Sequence, residues 1–225
     1  MELFSARKRL YTIRDGLRNF STINSGITIA EGNELKTVSA MKNIFAKAVI
    51  EESFDKEHSI YDLSEYLGAV SLFDKPDFAF NTESVKVSEG DNNVIYYYAD
   101  PQMVISPQKD INMPDPEISF DITEEVLASL LKASAVLSLP DMLLSSDGIT
   151  VMLTVKDKKN STSNVYSKTV AQGNGSKYEM FIRMENIKVI PGNYTVFVSS
   201  KGIAQFTNRN QAVEYFIALE PDSNY

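Results

Sequence analysis

Apolar residues recur at helical spacing at Ala6, Leu10, Ile13, Leu17 and Phe20, and Arg7, Arg14 and Arg18 share the neighbouring stripe. That pattern predicts an amphipathic helix with a basic face. Runs of β character follow over 27–31, 34–40 and 43–50, punctuated by the Gly32-Asn33 turn, and predict an antiparallel meander. Helical spacing returns at Ile60, Leu63, Leu67 and Val70, with Ser59 as the expected cap. Strands near 78–80, 85–88 and 93–99, with a Gly90-Asp91-Asn92 turn before the last, close the first half.

Residues 100–116 contain Pro101, Pro107, Pro114 and Pro116, four of the eight prolines, and show no periodicity. Proline fixes φ and lacks a donor, so this stretch reads as an extended connector. The order of elements then restarts. A strand at 118–120 precedes a helix from about Thr123 to Leu139, capped by Thr123, with Val126, Leu130, Ala133 and Leu137 on its buried stripe and Pro140 at its end. Strands are expected at 149–156, 165–171 and 177–182, then a short helical turn over 184–189 stopped by Pro191-Gly192. Three more strands, 194–200, 203–206 and 213–219, complete the pattern. Both halves read helix, strands, short helix, strands, which divides the chain into domains 1–108 and 109–225.

The 225 residues suit two domains of this size, and 43% hydrophobic content supplies a core for each. No cysteine is present, which removes disulfides, thiolate metal sites and thiol nucleophiles. The opening residues lack an apolar signal-peptide core and no long apolar run occurs, so a soluble protein of the cell interior is expected. Net charge is −8, against a generally basic nucleic-acid binder, yet its distribution is uneven. Residues 1–20 hold five Lys/Arg against two acids, leaving 17 basic against 28 acidic side chains for the rest. One basic element sits on an acidic body.

Chemistry is sparse. His58, the single histidine, lies in the polar stretch Asp55-Lys56-Glu57 and reads as a solvated loop residue. Glu51-Glu52 and Glu124-Glu125 are neighbouring acids, the second pair suited to a helix's first turn. Gly173-Asn174-Gly175 is followed by neither a Lys-Ser/Thr pair nor a helix, so a hairpin turn is expected in place of a phosphate loop. No active site assembles, and neither a metal nor a cofactor is expected.

Several blocks resemble, in order, the sliding clamps of T-even-type bacteriophages: residues 17–27 (LRNFSTINSGI), Ile60-Tyr61-Asp62-Leu63 with Leu67-Gly68, Ala99-Asp100-Pro101, Pro191-Gly192-Asn193-Tyr194 and 218–223 (ALEPDS). The resemblance implies an α+β fold of two similar DNA-clamp domains, each with two helices on antiparallel sheets, assembled into a closed ring of three subunits with helices lining the hole. It implies no enzyme activity. The implied role is to encircle double-stranded DNA without reading sequence and to tether the phage DNA polymerase, in the host-cell cytoplasm. A clamp loader and late-transcription proteins are further implied partners. For the DNA-facing lining it points to Arg7, Lys8, Arg14 and Arg18, then Lys132 and Lys188. The 123–139 helix departs from the family in carrying one lysine. A hydrophobic partner cleft would draw on Met103, Val104, Ile105 and Pro107 of the connector and on Ala218, Leu219 and Pro221. Closing such a ring needs unpaired edge strands, for which 93–98 and 165–171 are candidates. The alternatives are a β-rich viral structural or assembly protein and a single-strand-binding module, for which Tyr96-Tyr97-Tyr98 is the one tempting aromatic cluster.

Overall fold

The computed structural model describes residues 12–225, which divide after residue 110 into two compact units. The expectations for Arg7, Lys8 and the first turns of the opening helix lie outside the described residues.

The unit ending at residue 110 contains, in order, α1 (Ile13–Phe20), β1 (Ile27–Ile29), β2 (Gly32–Val38), β3 (Ile44–Phe54), β4 (His58–Ile60), α2 (Leu63–Val70), β5 (Asp77–Phe80), β6 (Ser84–Glu89) and β7 (Asn92–Tyr97). β2 pairs with β3, β1 with β4, and β5, β6 and β7 form a three-stranded antiparallel sheet with β7 at one margin. α1 begins at Thr12, whose hydroxyl accepts from the Asp15 N–H at 3.3 Å, while the Glu52 carboxylate on β3 accepts from Ile13 N–H at 3.2 Å. Two donors left over at the helix start are thereby satisfied. Leu17 and Phe20 are buried, and α1 packs on α2 and β3.

Two expectations change here. Ser59 does not cap α2, because Ile60 pairs with Ile27 and extends β4 through that position, leaving Ser59 buried with its hydroxyl on Thr28 at 2.8 Å. Asp62 caps instead, its carboxylate accepting from Ser64 and Glu65 N–H at 2.9 and 3.0 Å. His58 is a half-buried strand residue whose ring packs on Phe54, Phe80 and Tyr98 at centroid distances of 5.1, 5.9 and 4.8 Å. The polar turn before it disguised a three-residue strand as loop.

The unit 111–225 runs β8 (Ile118–Ile122), α3 (Glu124–Leu137), β9 (Asp141–Asp147), β10 (Thr150–Lys156), β11 (Tyr166–Gln172), β12 (Lys177–Arg183), β13 (Tyr194–Ser199), β14 (Ile203–Asn208) and β15 (Val213–Ala218). One sheet has the order β11-β10-β9-β12, and β8, β13, β14 and β15 pair in that order. α3 lies on β10 and β11. Its buried residues are Leu127, Leu130 and Ala133; Val126 is half-buried and Leu137 exposed, so the stripe is rotated from the expected one. The second short helix is a single 3-10 turn, Met184–Asn186, with no side chain capping it.

β9 was not evident in the sequence. It sits between β10 and β12, and Met142, Leu143 and Leu144 are all buried, so the run does not alternate. The Pro191-Gly192-Asn193-Tyr194 block has a packing reason. A Cβ at Gly192, where φ is +152°, would lie 2.6 Å from Asn208 Nδ2. Asn193 accepts from Glu124 N–H at 2.9 Å, helping Thr123 cap α3, and the Tyr194 hydroxyl donates to Ile190 O at 2.7 Å.

Candidate nucleic-acid and partner interface

α1 sorts its residues by face. Leu17 and Phe20 point into the core, while Arg14 and Arg18, four apart and therefore one turn above the other, are exposed. Asp15 lies beside them, tied to the Thr12 hydroxyl at 2.8 Å. On α3 the exposed face is Ala128, Lys132, Ala135 and Val136, with Glu124 and Glu125 confined to the first turn. Lys188 is half-buried just beyond the 3-10 turn. The structure thus brings Arg14 and Arg18 together on one helix face. Lys132 stands as the single cation of α3.

The connector is fixed closely to its own unit. Asp100 accepts from Gln102 N–H at 2.9 Å and starts a 3-10 turn, Pro101–Met103. Asn24, just after α1, donates its side-chain amide to Val38 O at 3.1 Å and Ile105 O at 2.8 Å. Lys36 on β2 bridges Glu34 at 3.0 Å and Asp110 at 2.9 Å. The two carboxylates hold the Lys36 ammonium above its ordinary range, chiefly through the hydrogen bond it donates to Asp110. Gly26 is obligatory beneath the connector: a Cβ there would meet Ile60 O and Tyr61 O at 2.9 Å and Val104 Cγ1 at 3.2 Å.

These restraints sort the candidate partner residues. Val104 is 9% exposed and anchors the connector, whereas Met103 and Ile105 are 66% and 47% exposed and Pro107 is half-buried. A groove of about 600 Å³ runs beside them, lined by Thr28, Glu31, Lys36, Glu57, Val104 and Pro107 among others. In the other unit, Ala218 is half-buried at the end of β15, Leu219 is buried with its N–H on Gly202 O at 2.9 Å, and Pro221 is exposed. Asn24 was missed as an organising residue, although it falls inside the 17–27 block; its double role depends on a carbonyl 81 residues away.

The acids and glycines without a functional role find structural ones. Glu52 caps α1, and Asn174 between Gly173 and Gly175 accepts from Ser176 N–H at 3.1 Å in the turn between β11 and β12. Among the described residues no group of three or more His, Asp or Glu could hold a metal ion, and no helix is long and apolar enough to cross a membrane.

Comparison with known proteins agrees along nearly the whole chain. Residues 119–221 match the family described as gp45 sliding clamp, C terminal. The sliding clamp of Escherichia phage RB69 is 30% identical over 218 residues, covering 93% of this chain and 95% of that protein. The sliding clamp of Vibrio phage KVP40 is 29% identical over 211 residues, covering 91% and 95%. The fold superposes on the archaeal structure described as the C-terminal region of FEN-1 bound to A. fulgidus PCNA, with a TM-score of 0.67 at 15% identity and coverage of 94% and 96%. Identity to the RB69 protein across almost the full length of both chains, on a fold that also superposes on PCNA, places this chain in the sliding-clamp family.

Proposed function

We propose that the chain is one subunit of a closed homotrimeric ring that encircles duplex DNA and tethers a phage DNA polymerase to it, in the cytoplasm of the infected host. The role is non-enzymatic. The observation that carries the reading is the one-sided α1, apolar toward the core and presenting Arg14 and Arg18 outward on a chain of net charge −8. DNA carries one negative charge per about 1.7 Å of duplex, so such a face attracts it wherever it lies, and backbone contacts read no sequence. Uniform attraction permits sliding. Ring topology then prevents escape, and the tether raises the polymerase's effective concentration at the primer end. Arg7, Lys8, Arg14 and Arg18 supply most of the lining, with Lys132 and Lys188 contributing less.

Ring closure uses the margins of two sheets. β7 and β11 each end a sheet within their own unit, and Ile95 and Tyr97 on β7 are 50% and 70% exposed. Head-to-tail pairing of these strands between copies satisfies both margins. For partner binding the chain draws on a surface with Met103, Val104, Ile105 and Pro107 of the connector and on Ala218, Leu219 and Pro221 of the unit 111–225, where flexible methionine adapts to more than one ligand. The polymerase, a clamp loader and late-transcription proteins are the partners. The test is retention after loading on circular and on linearised DNA. The chain stays on circles and runs off free ends; equal retention on both removes the topological tether.

A further inference from the structure

Beyond β15 the chain turns back along the outer edge of β12. Glu220 N–H donates to Phe181 O at 2.8 Å, and Asn224 and Glu179 exchange main-chain bonds of 2.7 and 2.8 Å, forming one isolated antiparallel bridge. The Ser223 hydroxyl accepts from Phe181 N–H at 2.9 Å. Main-chain pairing of this kind is indifferent to side chains, so any extended strand satisfies it.

The side chains add selectivity. Lys158 Nζ lies 2.8 Å from Asp222 and 3.4 Å from Glu220, and Arg183 Nε lies 3.4 Å from Glu220. Hydrogen bonding from Lys158 holds the Asp222 carboxyl below its ordinary range. Tyr225 stacks on Tyr178 with centroids 5.7 Å apart. The edge therefore presents two cations and an aromatic shelf to a strand with acids at its first and third positions and an aromatic at its sixth. The segment that fills it is short and exposed: Asp222 is about half exposed, Tyr225 is 44% exposed, and three main-chain hydrogen bonds with the Ser223 hydroxyl join it to β12, only one residue pair forming a β-bridge. Short exposed pairings of this kind open first in a native protein.

We propose that the outer edge of β12, with Lys158, Arg183 and Tyr178, is a strand-docking site for an extended acidic peptide, and that residues 220–225 are its resident occupant, which an incoming peptide displaces. This site lies entirely within the unit 111–225 and stands whether or not the chain closes into a ring. Pro221, one of the proposed partner-binding residues, moves when the segment is released.

The test uses the full chain and a labelled synthetic peptide of sequence Leu-Glu-Pro-Asp-Ser-Asn-Tyr, followed by fluorescence anisotropy. Asp222→Ala with Asn224→Pro removes one ion pair and one main-chain donor of the resident segment. Because the resident segment competes at an effective concentration on the order of millimolar, this double variant binds the peptide at least roughly tenfold tighter than wild type. Adding Lys158→Glu abolishes the gain. Equal binding by wild type and the double variant, or a gain that survives Lys158→Glu, overturns the proposal. So does a double variant that associates further by exchanging residues 220–225 between copies, seen in light scattering as a mass above that of wild type at the same concentration. Should the variant fail to fold, hydrogen exchange on wild type decides. The Glu179 and Asn224 amides then exchange at least roughly a hundredfold faster than Leu144 in the middle of β9, and equal protection overturns displacement.

Discussion

The Arg183 guanidinium lies 3.2 Å from the Asp141 carboxylate, and the Asp141 side chain is only 1% exposed. Asp141 also accepts from the Lys158 main-chain N–H at 3.0 Å. Arg183→Ala leaves a buried carboxylate with its main-chain donor alone. Breaking a buried pair costs about 3–5 kcal/mol, and because Arg183 is itself partly exposed the expected loss is about 2 kcal/mol. Urea denaturation measures it; a loss under about 0.5 kcal/mol shows that water replaces the guanidinium.

Arg14→Glu with Arg18→Glu reverses two charges on the exposed face of α1. Surface changes of this kind shift stability by about 0.5 kcal/mol or less, so the melting temperature and the mass of the assembly stay put. Retention on primed circular DNA falls, the deficit against wild type is largest at low ionic strength, and the variant's dependence on salt is shallower because it makes fewer phosphate contacts. Unchanged retention removes both residues from the DNA-facing surface.

Gly26→Ala forces a methyl group against Ile60 O and Tyr61 O, each 2.9 Å from the Cβ position. Both obstacles are backbone, so the chain beneath the connector must shift. The expected cost is about 1–3 kcal/mol, the usual range for overpacking. Limited proteolysis reports the accompanying release of residues 101–108, and a connector as resistant as wild type contradicts the packing described.

Burial lowers the His58 imidazole below its ordinary 6.5, against the smaller opposing effect of the Lys56 carbonyl. The unfolded chain therefore takes up the proton first as pH falls. Stability from the neutral ring is complete above about pH 6.5 and declines as pH drops through that value toward the lower folded one. His58→Phe keeps an aromatic ring against Phe54 and Tyr98 but cannot titrate. Thermal melts from pH 7.5 to 5 show a steeper decline for wild type than for His58→Phe, and parallel declines rule out His58 as the source.

Asp62→Ala removes the acceptor for Ser64 and Glu65 N–H and costs about 1 kcal/mol, typical of a lost cap. Loss of far-UV helical signal and a lower urea midpoint check it. The comparison tests a place where sequence reading failed. Ser59 precedes a run with helical spacing, as a cap should, yet its partner is Thr28, reached only once β1 and β4 pair.

That failure marks what was legible. Local periodicity exposed α1 and α3, and strands such as β8, β10 and β14 alternate buried with less buried positions. The family blocks were legible because they encode close approaches, such as Gly26 under Val104 and Gly192 against Asn208. β9 was hidden because an internal strand buries both faces, and β4 because three residues are too few to show a period. Arg14 and Arg18 could be assigned to one face from spacing alone. Asn24 could not be singled out, since its amide acquires meaning from Ile105, brought near by the fold.

If copies of the chain pair through the margins of β7 and β11 as proposed, dilution becomes a thermodynamic variable. Such association would withdraw Ile95, Tyr97 and the exposed Val165 just ahead of β11 from water. By mass action the melting temperature climbs as total subunit is raised, and a solution thinned below the assembly threshold leaves sticky strand edges bare.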